Sequence, residues 1–205
     1  LYETHVACGG KVVDFHGWLL PVQYSGILEE HAHTRSHVSL FDCSHMGEFI
    51  ITGRSGIEAL DRLVCLDVAN LAVGRCRYGA ILNEAGGIID DVIALRLDDD
   101  TVYLVTNAGT LDVVGALIAN SVPGARNVSD DTAKIDVQGP GARATLLAAG
   151  IADAGELRYF SVCRTTWGGA DIVVTRAGYT GELGYELFVP PDRAAWAWKT
   201  LSALP

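Results

Sequence analysis

Apolar and polar positions change their spacing several times along this chain, and each change marks an element. Residues 77–82, 88–97 and 101–106 are apolar-rich, β-prone runs, which predict three consecutive strands. A glycine-rich turn joins the first two, and Asp98-Asp99-Asp100 joins the second pair. Before them, residues 48–52 predict a short strand. Ser55-Gly56-Ile57-Glu58 then matches a capping box, opening a helix that runs to about Val64. After them, amphipathic spacing over 110–120 predicts a helix, stopped by Pro123-Gly124, and a short strand is expected over 125–128. The order β-α-β-β-β-α-β matches a split βαβ, ferredoxin-like layout with one extra strand. Residues 49–131 are therefore expected to form a self-contained domain.

The flanks carry further elements. Trp18-Leu19-Leu20-Pro21 and a polar turn close the first segment. Residues 26–37 predict a short helix with Glu29 and Glu30 early and Arg35 and His37 late, as the helix dipole favours. Ser129-Asp130-Asp131-Thr132 marks the exit from the central block. Residues 133–137 predict a strand, and Gln138-Gly139-Pro140 turns into a helix through Ala149 with Pro140 in its first turn. Strands are expected over 160–166 and 172–176 around Trp167-Gly168-Gly169, and over 185–189. A helix over 192–204, with Pro191 near its start, closes the chain. No internal repeat or low-complexity segment is present.

Within the strand of residues 88–97, Asp90 and Asp91 interrupt an apolar run. Strands normally avoid Asp, whose short side chain prefers turns and caps. Pleating puts Asp91 on one face with Ile89, Ile93 and Leu95, and Asp90 on the other with Ile88, Val92 and Arg96. The expectation is an Asp90–Arg96 ion pair and an Asp91 that faces an apolar surface with no basic residue. A carboxylate placed there is costly unless something uses it. The plainer alternative puts both in the exposed mouth of a hairpin.

Composition narrows the functional classes. The 205 residues are 49% hydrophobic and 20% charged, enough for a sizeable core. A net charge of −10, with only 15 scattered Lys and Arg, argues against a nucleic-acid surface. No apolar run approaches the roughly 20 residues of a membrane span. Five cysteines without a C-x-x-C pair predict buried free thiols in a reducing compartment. The opening residues do not read as a signal peptide, a trimmed targeting segment before Leu1 stays open, and the abrupt start at Leu1 and end at Pro205 are expected of a fragment.

A second glycine-punctuated segment runs Gly178-Tyr179-Thr180-Gly181-Glu182-Leu183-Gly184-Tyr185-Glu186. Its glycines allow close backbone approach to a ligand, Tyr179 and Tyr185 offer flat surfaces, and Glu182 and Glu186 offer acceptors. A glutamate beside an aromatic suits an amino-pyrimidine-like edge; an ordinary long hairpin loop explains the residues equally. The glycine spacing is not that of a phosphate loop. Phe41-Asp42-Cys43-Ser44-His45-Met46 brings nucleophile-type residues together, but without a nucleophile elbow, so Asp42 or Ser44 is expected to cap local backbone. His33 and His37 are four apart and could share a metal; with no third ligand apparent they are expected at the surface. Asn107 could cap the following helix or present its amide at a strand end. Tyr78 begins the strand that pairs with that of Asp91.

Together these blocks resemble the aminomethyltransferase, or T-protein, family of the glycine cleavage system. The resemblance rests on Leu1-Tyr2-Glu3-Thr4-His5, on Asp14-Phe15-His16-Gly17-Trp18 with Pro21 and Tyr24, on Phe41-Asp42-Cys43-Ser44-His45-Met46, on residues 83–91, on Val137-Gln138-Gly139-Pro140 and on residues 178–186. They occur in the family's order and cover nearly the whole chain. Cys43 departs from the usual Val. The resemblance implies an α+β, aminomethyltransferase folate-binding fold: a discontinuous, antiparallel β-rich domain, 1–48 and 132–205, with the ferredoxin-like domain 49–131 inserted. The family's later Gly-Leu-Gly-Ala-Arg-Asp-type segment, with its folate-contacting Arg, and its C-terminal barrel domain are absent from these residues. The implied activity moves the methylene carbon of an aminomethyl group on the lipoyl arm of the H-protein to tetrahydrofolate as acceptor, releasing ammonia. Asp91 would be the catalytic carboxylate and also bind folate. Glu186 would hold the pterin ring, with Met46, Tyr78, Asn107 and Tyr179 lining the pocket. No metal and no nucleophilic side chain is implied. The expected partner is the lipoylated H-protein, with no nucleic acid and no membrane. The location is cytoplasmic for a bacterial source and the mitochondrial matrix for a eukaryotic one. A related folate-dependent demethylase, a sarcosine- or dimethylglycine-type folate domain, and a non-catalytic folate-binding scaffold stand as alternatives. Residues 1–205 alone are expected to bind folate weakly and turn over little.

Overall fold

A computed structural model describes residues 1–15 and 17–204; His16 of the Asp14-Phe15-His16-Gly17-Trp18 block lies outside the described residues. In chain order the elements begin with α1 (Tyr2–Ala7), β1 (Val12–Phe15), β2 (Trp18–Pro21), α2 (Ile27–Ser36) and β3 (Ser39–Asp42). They continue with β4 (Gly47–Thr52), α3 (Arg54–Leu63), β5 (Cys76–Leu82), β6 (Ile88–Asp98), β7 (Thr101–Thr106), α4 (Leu111–Ser121) and β8 (Ala125–Asn127). The last are β9 (Ala133–Gln138), α5 (Ala142–Ala148), β10 (Val162–Trp167), β11 (Ala170–Thr175), β12 (Gly184–Val189) and α6 (Pro191–Ser202). The fold is mixed α and β, built on antiparallel sheets. The chain divides into two compact units: Leu1–Ser44 with Ala133–Tyr159 and the segment from Arg164 onward, and His45–Thr132 with Phe160–Cys163.

The second unit holds a five-stranded antiparallel sheet in the order β5-β6-β7-β4-β8. Removing the edge strand β5 leaves the ferredoxin-like order, so β5 is the extra strand. One face of the sheet meets α3 and α4 through Phe49, Ile51, Val92, Ala94, Leu104, Ile57, Leu60 and Ile118, all buried. Each fully buried Leu or Ile there is worth about 1.5–3 kcal/mol. The capping box does not form. Helix α3 begins two residues earlier, with Gly53 at its N-cap at φ 80° and no side-chain cap, so Ser55 lies inside the first turn. Glu58 accepts from Arg54 Nε at 2.7 Å instead of turning back to the helix start. Between β5 and β6, Asn83 Oδ1 accepts the backbone N–H groups of Ala85 (3.0 Å) and Gly87 (2.8 Å), and Gly86 takes a φ of 81°. The glycine-rich turn is thus closed by its own asparagine.

The first unit is built on the sheet β10-β11-β12-β9-β3, with α5 and α6 packed on it. Pro191 occupies the first turn of α6. Pro140 does not do so for α5, which starts at Ala142 after a Gly141 cap. Helix α1, the β1–β2 hairpin and β3 had no sequence signal. The expectation of buried thiols holds for Cys43 and Cys76; Cys8 and Cys65 are exposed and Cys163 is intermediate, and all five are free. No helix among the described residues is long and apolar enough to cross a membrane.

Helix α1 is tied to β3 through His5, which is 1% exposed. His5 Nε2 donates to Asp42 Oδ2 at 2.8 Å, its Nδ1 lies 2.7 Å from the Tyr24 hydroxyl, and the Trp198 ring stands edge-on at 5.0 Å. Asp42 also accepts the Ser44 backbone N–H at 3.0 Å, the local cap expected of it. Burial pushes the Asp42 carboxyl up, but the bonds from His5 and Ser44 outweigh it and hold the group below its ordinary 3.8. A carboxyl held low in the folded state stabilises it above the unfolded-state value and loses that contribution as pH falls through the folded one. Asp42→Asn should therefore cost about 1–3 kcal/mol at pH 7. In thermal unfolding at stepped pH, the gap to the parent should narrow below roughly pH 4. A gap that stays constant across this range would contradict the assignment.

Candidate functional site

In the second unit, register places the two aspartates. Ala80 pairs with Asp91 across β5 and β6, so Tyr78 is the diagonal neighbour of Asp91 on one face. The face assignment drawn from the sequence is reversed. Asp90 is the buried member, 4% exposed, on the face of Val92 and Ala94, whereas Asp91 is exposed. The cause is that Ala94 and Leu95, successive residues, are both fully buried. Beta-6 is covered on both faces at that point, and polarity alone could not tell which face carried the helices. The expected Asp90–Arg96 ion pair is also replaced. Asp90 accepts the Asn107 backbone N–H (3.0 Å) and its amide Nδ2 (2.7 Å), while Arg96 Nη2 donates to the Asp99 carbonyl (2.6 Å).

Asn107, at the end of β7, does not cap a helix with its side chain; a single 3₁₀ turn, Ala108–Thr110, leads into α4. Its amide points to the carboxylates. Nδ2 donates to Asp91 Oδ1 at 2.9 Å and to the Asp91 carbonyl at 3.1 Å. Tyr78, 60% exposed, donates its hydroxyl to Asp91 Oδ2 at 3.0 Å. That bond, and the carboxylate charge behind it, hold the Tyr78 hydroxyl above its ordinary value. Asp91 is therefore fixed by one neutral donor on each oxygen and still faces solvent. Neutral donors orient an anion without cancelling its charge, so the group can stabilise positive charge on a ligand. Met46 lies half-buried in the turn before β4.

In the first unit, Glu186 sits in the fully buried strand β12, opposite Asp136 on β9 and Thr175 on β11. It is 6% exposed. Its oxygens are already engaged: Oε1 lies 2.9 Å from Lys134 Nζ, and Oε2 accepts from Thr175 Oγ1 at 2.8 Å. Lys134 Nζ also donates to Asp136 Oδ1 at 2.6 Å. Burial pulls the Lys134 ammonium down, but Asp136 and Glu186 outweigh it and keep it well above its usual range. Burial pushes Asp136 up to about 7, against the pull of Lys134. Neither Lys134 nor Asp136 was picked out by sequence reasoning. Lys134, Asp136 and Gln138 alternate with apolar residues, the signature of a half-solvated strand, yet all six residues of β9 are buried. No sequence signal marks them, because the pairing of β9 with the glutamate-bearing β12 is a tertiary fact.

The glycine-punctuated loop closes on Gln138. A Cβ at Gly178 or Gly184 would overlap the Gln138 side chain. Glu182 pairs with Arg35 at 3.1 Å, and Arg35 donates to the Thr180 carbonyl at 2.9 Å. Tyr179 is 69% exposed, with its hydroxyl 3.6 Å from Cys43 Sγ. Burial, foremost, pushes the Cys43 thiol up to about 12, so it is no thiolate nucleophile at neutral pH. Tyr185 offers no open surface, since it is 0% exposed. His33 and His37 are exposed and stack ring on ring at 4.8 Å, and His33 Nε2 is engaged with the Val38 carbonyl. The structure thus gathers Tyr78, Asp91 and Asn107, with Asp90, in one unit, and Tyr179 and Glu186, with Lys134 and Asp136, in the other.

The GCVT N-terminal domain family matches residues 1–204. The aminomethyltransferase of Halothermothrix orenii is 36% identical over 204 residues, covering 98% of this chain and 57% of the relative. That of Chlorobium phaeovibrioides is 40% identical over 208 residues, covering 98% of this chain and 57% of the relative. Among solved structures, the glycine cleavage system aminomethyltransferase T from Bartonella henselae matches with a TM-score of 0.90 at 35% identity, covering 98% of this chain and 55% of that one. A chain of the heterotetrameric sarcosine oxidase from Corynebacterium sp. U-96 shares the fold at a TM-score of 0.57 and 16% identity, covering 85% of this chain and 91% of that one. The chain spans a little over half the length of the curated relatives it matches. It belongs to the GCVT N-terminal domain family, the aminomethyltransferase family of the glycine cleavage system.

Proposed function

We propose that this chain carries the folate-binding part of an aminomethyltransferase. In that role it takes the methylene carbon from an aminomethyl-lipoyl H-protein, passes it to tetrahydrofolate and releases ammonia. Residues 1–48 and 132–205 would form the folate-binding domain, with 49–131 inserted. The observation that carries the proposal is Asp91: an exposed carboxylate held at both oxygens by the neutral donors of Tyr78 and Asn107. A fixed anion of this kind orients an amine-bearing ligand and lowers the energy of positive charge that develops on nitrogen during transfer. No charge reorganisation is needed at that moment, because the donors are already in place.

Glu186, within the first unit, is read as an acceptor for the N–H groups of the folate ring. A carboxylate has about four lone-pair directions, and Lys134 and Thr175 use one on each oxygen. The remaining ones can accept adjacent ring N–H groups. Tyr179, mostly exposed on the neighbouring loop, supplies a flat face to a ring. In the unit of Asp91, Met46 adds an adaptable apolar contact. Calorimetric titration of the full-length protein with tetrahydrofolate should give saturable binding at one site. A titration without saturable heat would contradict the proposal.

A further inference from the structure

The buried row beneath Glu186 has an arrangement that packing alone does not require. Asp136 and Glu186 are register partners on β9 and β12. Two carboxylates directly opposite each other on one sheet face repel. Both are buried, where that repulsion is least screened. Lys134, two residues before Asp136 and 1% exposed, sends its ammonium between them, at 2.6 Å from Asp136 and 2.9 Å from Glu186. Thr175 closes the row from β11, donating to the other Glu186 oxygen at 2.8 Å. The groups that face Lys134 are Asp136 on its own strand, Glu186 on β12, Cys43 after β3 and Tyr179 on the loop, with the Phe188 ring centroid 5.8 Å away. Lys134 thus supplies one positive charge to two carboxyl groups.

We propose that Lys134 is a positioning residue for folate recognition. Its ammonium holds the Glu186 carboxylate as an oriented anionic acceptor, against the like charge of Asp136. The proposal rests on the reading of Glu186 as the ligand for the ring N–H groups. Without Lys134, the two buried carboxyl groups hold a shared proton to higher pH than in the parent. A proton shared between Asp136 and Glu186 occupies a Glu186 oxygen that the ligand needs as a free acceptor. A residue that acted only by filling space would leave the pH dependence of binding unmoved.

The test is tetrahydrofolate affinity of the full-length protein, by calorimetry between about pH 6 and pH 9. Lys134→Met keeps most of the side-chain volume and removes the charge. It should bind about tenfold or more weakly at pH 7 and regain affinity toward pH 9, as the extra proton leaves. A folded Lys134→Met protein with parent affinity and the parent pH profile overturns the proposal. Should that variant fail to fold, Asp136→Asn decides. Removing the like charge opposite Glu186 should carry binding to lower pH, so the acidic limb of the profile moves down; an unmoved limb overturns the proposal. Glu186→Gln separates the two levels. If it binds like the parent, the reading of Glu186 fails and the proposal with it. If it binds weakly while Lys134→Met does not, only the role of Lys134 fails.

Discussion

Asp91→Asn should lower methylene transfer by about 10²–10³-fold while the protein stays folded. The size follows from the role. An anion fixed beside developing positive charge acts in the transition state more than in the ground state, so its loss falls mainly on turnover. The sparing of the fold follows from the surroundings. Asp91 is exposed, and Asn in its place can accept from Asn107 with its oxygen and donate to the Tyr78 hydroxyl, which can act in either direction. Surface changes of this kind usually move stability by less than about 0.5 kcal/mol. Steady-state transfer and a thermal melt on the same preparation check both halves.

The same substitution one residue earlier should behave in the opposite way. Asp90→Asn is expected to destabilise the protein by about 1–3 kcal/mol. Both groups that Asp90 accepts from, the Asn107 backbone N–H and its amide, are donors, and the site is nearly closed to water. Asparagine brings one acceptor and one donor, so one Asn107 donor is left facing another donor. The Asn107 amide must then shift. It is the group that holds Asp91 Oδ1, so turnover should fall as well, by about tenfold. An Asp90→Asn protein as stable as its parent would show that Asn107 does not depend on Asp90.

These two residues also show what the sequence could and could not convey. The elements around them were legible because they are long and regular: β6, β7 and α4 each repeat their apolar spacing over six residues or more. The four-residue strands of the first hairpin and β3 were not, since so few residues define no period. The Asp90–Asp91 pair was legible as an anomaly, but not which member was buried. That depended on the side of β6 that α3 and α4 cover, a tertiary fact. The glycine-punctuated loop was visible from its glycines, whereas the burial of Tyr185 came only with β12 lying inside its sheet. Lys134 and Asp136 stayed hidden for the same reason: alternation reads as one wet face until a second layer covers it.

The most direct measurement of the central claim is ammonia release from an aminomethyl-lipoyl H-protein by the full-length protein, with and without tetrahydrofolate. The account predicts release accelerated by tetrahydrofolate, with most of that acceleration lost in Asp91→Asn. Release that ignores tetrahydrofolate, or an Asp91→Asn protein accelerated as much as its parent, would contradict it.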